Sequence, residues 1–214
     1  MLTNLTSEEG MSDFAGVILA GGVSRRLGYR NKALLKIGNK SVIEYVIEAL
    51  SRATGNISLI TNSPGEFAHL DLPMFGDILP GSGSLGGIYT GLKVTETHYN
   101  LVVACDMPFV QPCLLTSLIN NSKNYDVVIP VTADGLHPTC TIYSRNCIEP
   151  IEEQIKTGNL KIIDFFPHVA VNSIDLDALC PCCDPNVFFN INTNEDYLKA
   201  SAIADRYLNR VSSQ

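Results

Sequence analysis

The stretch "GVILAGGVSRRLGYRNKALL", Gly16 to Leu35, opens as a continuous apolar run, breaks at Gly21-Gly22, and then places three arginines and a lysine within eleven residues. A strand ending in glycines can turn sharply, because a backbone without Cβ atoms reaches conformations closed to other residues, and its N–H groups can then approach phosphate oxygens. Lys32, ten residues after Gly22, can be swung over the same ligand, where its ammonium would neutralise charge building on a departing pyrophosphate. A plain strand-to-helix turn with Ser24, Arg25 and Arg26 in solvent uses the same residue types. The rest of the chain must therefore decide between the two. Two common motifs are absent here: there is no G-x-x-x-x-G-K-[ST] of a P-loop, and the first glycine loop lacks the G-x-G-x-x-G spacing of a dinucleotide fold.

Outward from this stretch, apolar runs recur at 14–20, 56–61, 100–106, 125–130, 137–143 and 187–191, most of them without polar alternation. That pattern predicts strands covered on both faces, as in a parallel sheet. Helical periodicity predicts helices over 41–53, 84–95, 111–122, 146–157 and 194–209. Ser41 with Glu44 three residues on forms a capping box for the first long helix, and Asn194 with Asp196 opens the last. Strands alternating with helices give an α/β fold, three-layer and doubly wound on a mostly parallel sheet, which binds ligands beyond the carboxyl ends of its strands. Residues 1–13 read as a flexible leader and 14–214 as a single domain, with no internal repeat or low-complexity tract.

Composition narrows the chemistry. With 22 acidic and 15 basic residues the net charge is −7, which argues against a nucleic-acid or anionic-membrane surface, and no stretch approaches the roughly 20 apolar residues of a membrane span. Seven cysteines is an odd number in a chain large enough to need no staples, and Cys105, Cys113, Cys140 and Cys147 sit in apolar or mixed surroundings like reduced thiols. The expected compartment is the cytoplasm.

"GSGSLG", Gly81 to Gly86, does match G-x-G-x-x-G, with Asp106 twenty residues beyond, as an NAD-dependent oxidoreductase would require. The context is wrong, because "LDLPMFGDILP" before it is interrupted by Pro73, Gly76 and Pro80 instead of forming a buried strand. A second backbone wall, with Gly86 and Gly87 opening a helix toward the ligand, suits it better. Asp77 upstream could accept hydrogen bonds from a base or sugar, or simply belong to a turn. "NLVVACDMP" carries Asp106 off the end of an apolar strand that Pro108 terminates. A carboxylate there, facing a polyphosphate, suits Mg²⁺, which favours one or two carboxylates completed by phosphate oxygens and water.

In order along about 185 residues, "LAGGVSRRLG…NKALL", "TN" at 61–62, "D…GSLGGIYTGL" from Asp77, "VVACDMPF", "HPTCTIY" and "NINTNEDY" resemble the nucleotidyltransferases, and within them the molybdenum cofactor guanylyltransferases. "LAGG" and "NINTNED" resemble the guanylyl enzymes, whereas the cytidylyl relatives usually carry "LAAG" and a "DxDTPED"-like ending, so GTP is favoured over CTP. The resemblance implies a Rossmann-like nucleotidyltransferase fold in which Leu19, Ala20, Gly21, Lys32, Asn62, Asp77 and Asp106 contact the nucleotide. On this reading Gly22 and Gly86 would add backbone to that site, Asp106 would also hold Mg²⁺, and Arg25 and Arg26 would serve phosphates beside Lys32 and Asp106. It implies transfer of GMP from GTP to the terminal phosphate of molybdopterin, or of the molybdenum cofactor, with other proteins of that pathway as a further class of partner. Ser84, Asn31 and Asn194 depart from the family pattern, and none removes a phosphate or metal ligand.

Asn190, Asn192 and Thr193, at the end of an expected strand beside a helix start, are candidates for the acceptor's phosphate, or for an Asn-rich helix cap. His137 either lines the acceptor pocket or is a structural residue entering a strand. "CPCC" gathers Cys180, Cys182 and Cys183, but C-x-C-C without a second pair nearby points to a loop of reactive thiols more than to zinc. Two further readings are a cytidylyltransferase or related enzyme on another phosphorylated acceptor, and a GTP-binding module without catalysis.

Overall fold

A computed structural model describes residues 13–21 and 31–211. Gly22, Ser24, Arg25, Arg26 and Arg30, and leader residues 1–12, lie outside the described residues. In chain order the strands are β1 (Phe14–Leu19), β2 (Lys36–Ile37), β3 (Lys40–Ser41), β4 (Asn56–Ile60), β5 (Met74–Phe75), β6 (Tyr99–Ala104), β7 (Val127–Thr132), β8 (Gly135–Leu136), β9 (Cys140–Ser144) and β10 (Val171–Asp175). The longer helices are α1 (Val42–Ser51), α2 (Gly83–Val94), α3 (Pro112–Asn120), α4 (Ile148–Lys156) and α5 (Asn194–Val211).

One eight-stranded sheet runs β10-β7-β9-β6-β1-β4-β5, with β8 paired to β7. β1 lies parallel between β4 and β6, with Leu19 opposite Ile60 on one side and Ala104 on the other. β9 is antiparallel to both β6 and β7, so it is wedged between two parallel blocks. Along β1 the side chains alternate: Ile18 faces one core with Leu101 and Val103, and Val17 and Leu19 face the other with Val102. The first core is closed by α1 through Val46 and Leu50 and by α3 through Leu114 and Leu118. The second is closed by α2 through Leu85, Ile88 and Leu92, together with Ile151 of α4 and Phe165. Apolar side chains on both faces of each central strand explain why these strands read as unbroken hydrophobic runs. A third, smaller core joins Ile37 of the β2–β3 hairpin, Val42, Phe109 and Ile191 to Ala200 and Ala204 of α5.

The segment 187–191 is not a strand. Its backbone is satisfied locally, Val187 N–H donating to Asp184 and Phe189 N–H to Asn186, while Ile191 N–H reaches the carbonyl of Asp106. The apolar residues there are core plugs on turns: Val187 and Ile191 are fully buried. Conversely, Met74–Phe75 inside "LDLPMFGDILP" does pair with β4, as a two-residue edge strand that Pro73 and Gly76 keep short. The last helix begins at Asn194 with Thr193 as its cap: Thr193 Oγ1 accepts from Asp196 N–H, and the Asp196 carboxylate accepts from the N–H groups of Thr193 and Asn192.

Candidate active site

The carboxyl ends of β1, β4, β5 and β6 open on one side of the sheet, and the cavity there has a volume of about 600 Å³. Each strand delivers the residue that follows it. β1 runs into Gly21, whose preceding Ala20 donates its N–H to Ile60. β4 leads into Thr61 and Asn62. The Asn62 side chain accepts from Asp77 N–H at 2.9 Å and donates to the Asp77 carboxylate at 2.8 Å, so the two residues are locked together at the rim. β6 runs through Cys105, whose N–H is taken by Leu19, to Asp106. The wall opposite is the start of α2. Gly81 at φ +84° and Gly83 at φ +57° hold left-handed backbone there, which a side chain would strain. Gly87 lets the helix close on β1, since a Cβ would sit 3.1 Å from Leu19 Cδ2.

Lys32 enters from a single 3₁₀ turn, Lys32–Leu34, capped by the Asn31 side chain, which accepts from Ala33 N–H. Its ammonium forms an ion pair with Asp106 Oδ2 and donates to Asn192 Oδ1 at 3.1 Å. This pair is nearly buried, with side-chain exposures of 19% for Lys32 and 9% for Asp106. The second carboxylate oxygen, Asp106 Oδ1, is buried without a hydrogen-bond partner. A desolvated oxygen of that kind is costly unless a ligand or cation completes it, so the site fits a divalent metal held by Asp106. Lys32 is opposed by Asp77 and Asp106 among the described residues facing the cavity, so a triphosphate here would call for added positive charge.

Of the candidates from sequence, Leu19, Gly21, Lys32, Asn62, Asp77, Asp106, Asn190 and Asn192 face this cavity. Ala20, Gly86, Thr193 and His137 do not. Gly86 is instead packed into the first turn of α2, where a Cβ would come 2.7 Å from Ser82 Cβ. Thr193 is committed to capping α5. His137 stacks on Phe188 with ring centroids 3.8 Å apart and hydrogen-bonds Thr132, and burial lowers its pKa, which favours the neutral ring. Gly22 and Arg25 fall outside the described residues. Thr139, whose carbonyl accepts from Ala104 N–H, also faces the cavity and was not anticipated; only its place two residues after His137 hinted at it.

Residues 16–169 match the family model for the MobA-like NTP transferase domain. The chain is 38% identical over 196 residues to "Probable molybdenum cofactor guanylyltransferase" of Pelotomaculum thermopropionicum, covering 91% of this chain and 95% of that one. It is 32% identical over 195 residues to the molybdenum cofactor guanylyltransferase of Desulfosudis oleivorans, covering 90% and 96%. Among solved structures, molybdopterin-guanine dinucleotide biosynthesis protein A from Archaeoglobus fulgidus superposes with a TM-score of 0.76 at 27% identity, over 90% of this chain and 99% of that one.

Proposed function

The chain belongs to the MobA-like NTP transferase family, and from that premise we propose that it transfers GMP from GTP to the terminal phosphate of molybdopterin, giving molybdopterin guanine dinucleotide and pyrophosphate. It is a nucleotidyltransferase with an α/β fold on a mostly parallel sheet. The observation that carries the reading is the Lys32–Asp106 pair at the convergence of four strand ends, with Asp106 Oδ1 left unpartnered beside the cavity.

The protein's contribution is position and charge, since attack by one phosphate oxygen on the α-phosphorus of GTP requires no covalent enzyme intermediate. Asn62 holds Asp77 against the base or ribose, and the backbone at Gly21 lies where the phosphates would pass. Lys32, oriented by Asn192, carries the positive charge that offsets what the leaving pyrophosphate gains. Mg²⁺ is the proposed cofactor, held by Asp106, and when bound it would supply Lewis-acid charge at the phosphate oxygens. Asn190 and Asn192, which line the cavity, are the proposed contacts of the acceptor's phosphate, and Arg25 a proposed phosphate contact.

We propose that residues 14–214 act as one domain, with the cytoplasm as its compartment, in line with the free buried thiols of Cys105, Cys140 and Cys147. Among the described residues, no helix is long and apolar enough to cross a membrane. The test is pyrophosphate release with molybdopterin and each nucleoside triphosphate in turn. GTP is expected to support turnover; a preference for CTP would replace the guanylyl reading, and no release with any of the four would remove the function.

A further inference from the structure

Three of the seven cysteines sit in C-x-C-C at Cys180, Cys182 and Cys183, with no second pair beside them in sequence. The fold supplies the fourth sulphur from far away. Cys113, in the first turn of α3, comes to 3.4 Å from Cys180 Sγ and 3.7 Å from Cys183 Sγ, while Cys180 and Cys182 are 3.7 Å apart. The sulphurs of Cys113, Cys180 and Cys182 all lie within 4.8 Å of one another.

We infer that Cys113, Cys180, Cys182 and Cys183 are the ligands of one tetrahedrally bound zinc-class ion, at a site separate from the nucleotide cavity. Zinc–sulphur bonds of about 2.3 Å place tetrahedral sulphurs about 3.8 Å apart, close to the Cys113–Cys180, Cys113–Cys183 and Cys180–Cys182 separations. A [4Fe–4S] cluster would hold its cysteines further apart, each on a different iron, and a [2Fe–2S] cluster would split them into two distant pairs. The structure joins Cys180 and Cys183 in a disulfide, but that bond accounts for two sulphurs and gives no reason for Cys113 and Cys182 to converge on them. The loop is also pre-formed: Asp184 N–H donates to Gln111 Oε1, and Cys183 N–H to the Cys180 carbonyl. Cys180 is buried and Cys182 exposed, so the site has an inner wall and an entry side.

The redox balance is simple. A dithiol delivers two electrons and two protons to the Cys180–Cys183 bond, becoming a cyclic disulfide itself, and four thiols then release four protons as the dication binds. The resulting centre carries a net charge of −2, which the α3 N-terminus offsets in part. Its place in the chain gives it a task. The segment leaving Cys183 runs through buried Val187 to Ile191, which donates to the Asp106 carbonyl, and to Asn192, which holds Lys32. The ion would therefore anchor one end of the strap that positions the Lys32 ammonium.

The experiment uses the full chain, reduced with a dithiol that is then removed without air before metal is measured, and kept free of other chelators. About one zinc per chain is expected by elemental analysis, and Co²⁺ alone, added to reduced metal-free protein, should give the intense visible bands and near-ultraviolet charge transfer of a tetrahedral thiolate centre. Cys113→Ser and Cys182→Ser should each lower metal affinity roughly tenfold or more. A reduced chain, folded by circular dichroism, with neither zinc nor a cobalt–thiolate spectrum overturns the inference. So does metal binding undiminished by Cys113→Ser, and so does the broad visible absorption of an iron cluster. None of these readouts depends on the transferase assay.

Discussion

Asp106 spends one carboxylate oxygen on Lys32 and keeps the other buried and unpartnered, a costly arrangement to maintain without a ligand. Lys32→Ala and Asp106→Ala are each expected to lower pyrophosphate release by roughly 10²–10³-fold or more while the far-ultraviolet circular dichroism stays unchanged. Full activity in either variant would remove the mechanism. Both residues are candidates in sequence: the glycine loop leaves a phosphate site open beside a plain turn, and an aspartate between an apolar strand and Pro108 stands where such folds present ligands. What sequence left out is that they meet each other, and that Asn192 from 160 residues away holds the lysine. Pairings of that range depend on how a strap near the C-terminal helix packs, which no local pattern encodes. The four-sulphur cluster escaped for the same reason, since spacing rules see C-x-C-C but not Cys113.

At the scale of elements, α2 depends on its glycines for closeness to β1. A Cβ on Gly91 would meet Val17 Cγ1 at 2.6 Å, far inside ordinary contact. Gly91→Ala is expected to lower the urea midpoint, with overpacking of about 1–3 kcal/mol outweighing a helix-propensity gain of about 1 kcal/mol. The loss should shrink in a Val17→Ala background, and a cycle with no coupling would disprove the contact. The start of α1 offers a second test. The Glu44 carboxylate accepts from both the N–H and the hydroxyl of Ser41, at 2.6 Å each, and these bonds hold its pKa below the ordinary value. Ser41→Ala should cost about 1 kcal/mol at neutral pH. Because the folded-state pKa is lowered, the carboxylate's contribution is fully present above the unfolded value and fades as the pH falls through the folded one. The gap between variant and parent in denaturant titrations should therefore narrow below about pH 4. This cap was readable from S-x-x-E. The strand expected at 187–191 was not real, because Val187 and Ile191 are buried from turns and an apolar run does not distinguish the two. The polar-rich β10 strand, Val171–Asp175, carries no apolar run, because it offers one apolar residue to each core, Val171 to one and Ile174 to the other.

The cavity is assembled from strand ends far apart in sequence and exists only in the folded chain, so under the proposed function nucleotide should stabilise it by mass action. GTP with Mg²⁺ at about 100 times its dissociation constant adds about 2.7 kcal/mol, which for a chain of this size raises Tm by roughly 5–11 °C. CTP at the same concentration should raise it less; equal shifts would show that the cavity does not select the base. The hydrogen bond from Ile191 to Asp106 also has a consequence for how the protein is born. Asp106 and the strands bearing it leave the ribosome well before their partners: Thr139 follows 33 positions later and Ile191 85 positions later. At about 5–20 residues per second that second interval is roughly 4–17 s. In its first part β6 still lacks its β9 neighbour, and throughout it Lys32 lacks Asn192, so a nascent chain has no finished grip on the triphosphate. Catalytic competence thus arrives late in translation, when the strap that completes the cavity has emerged.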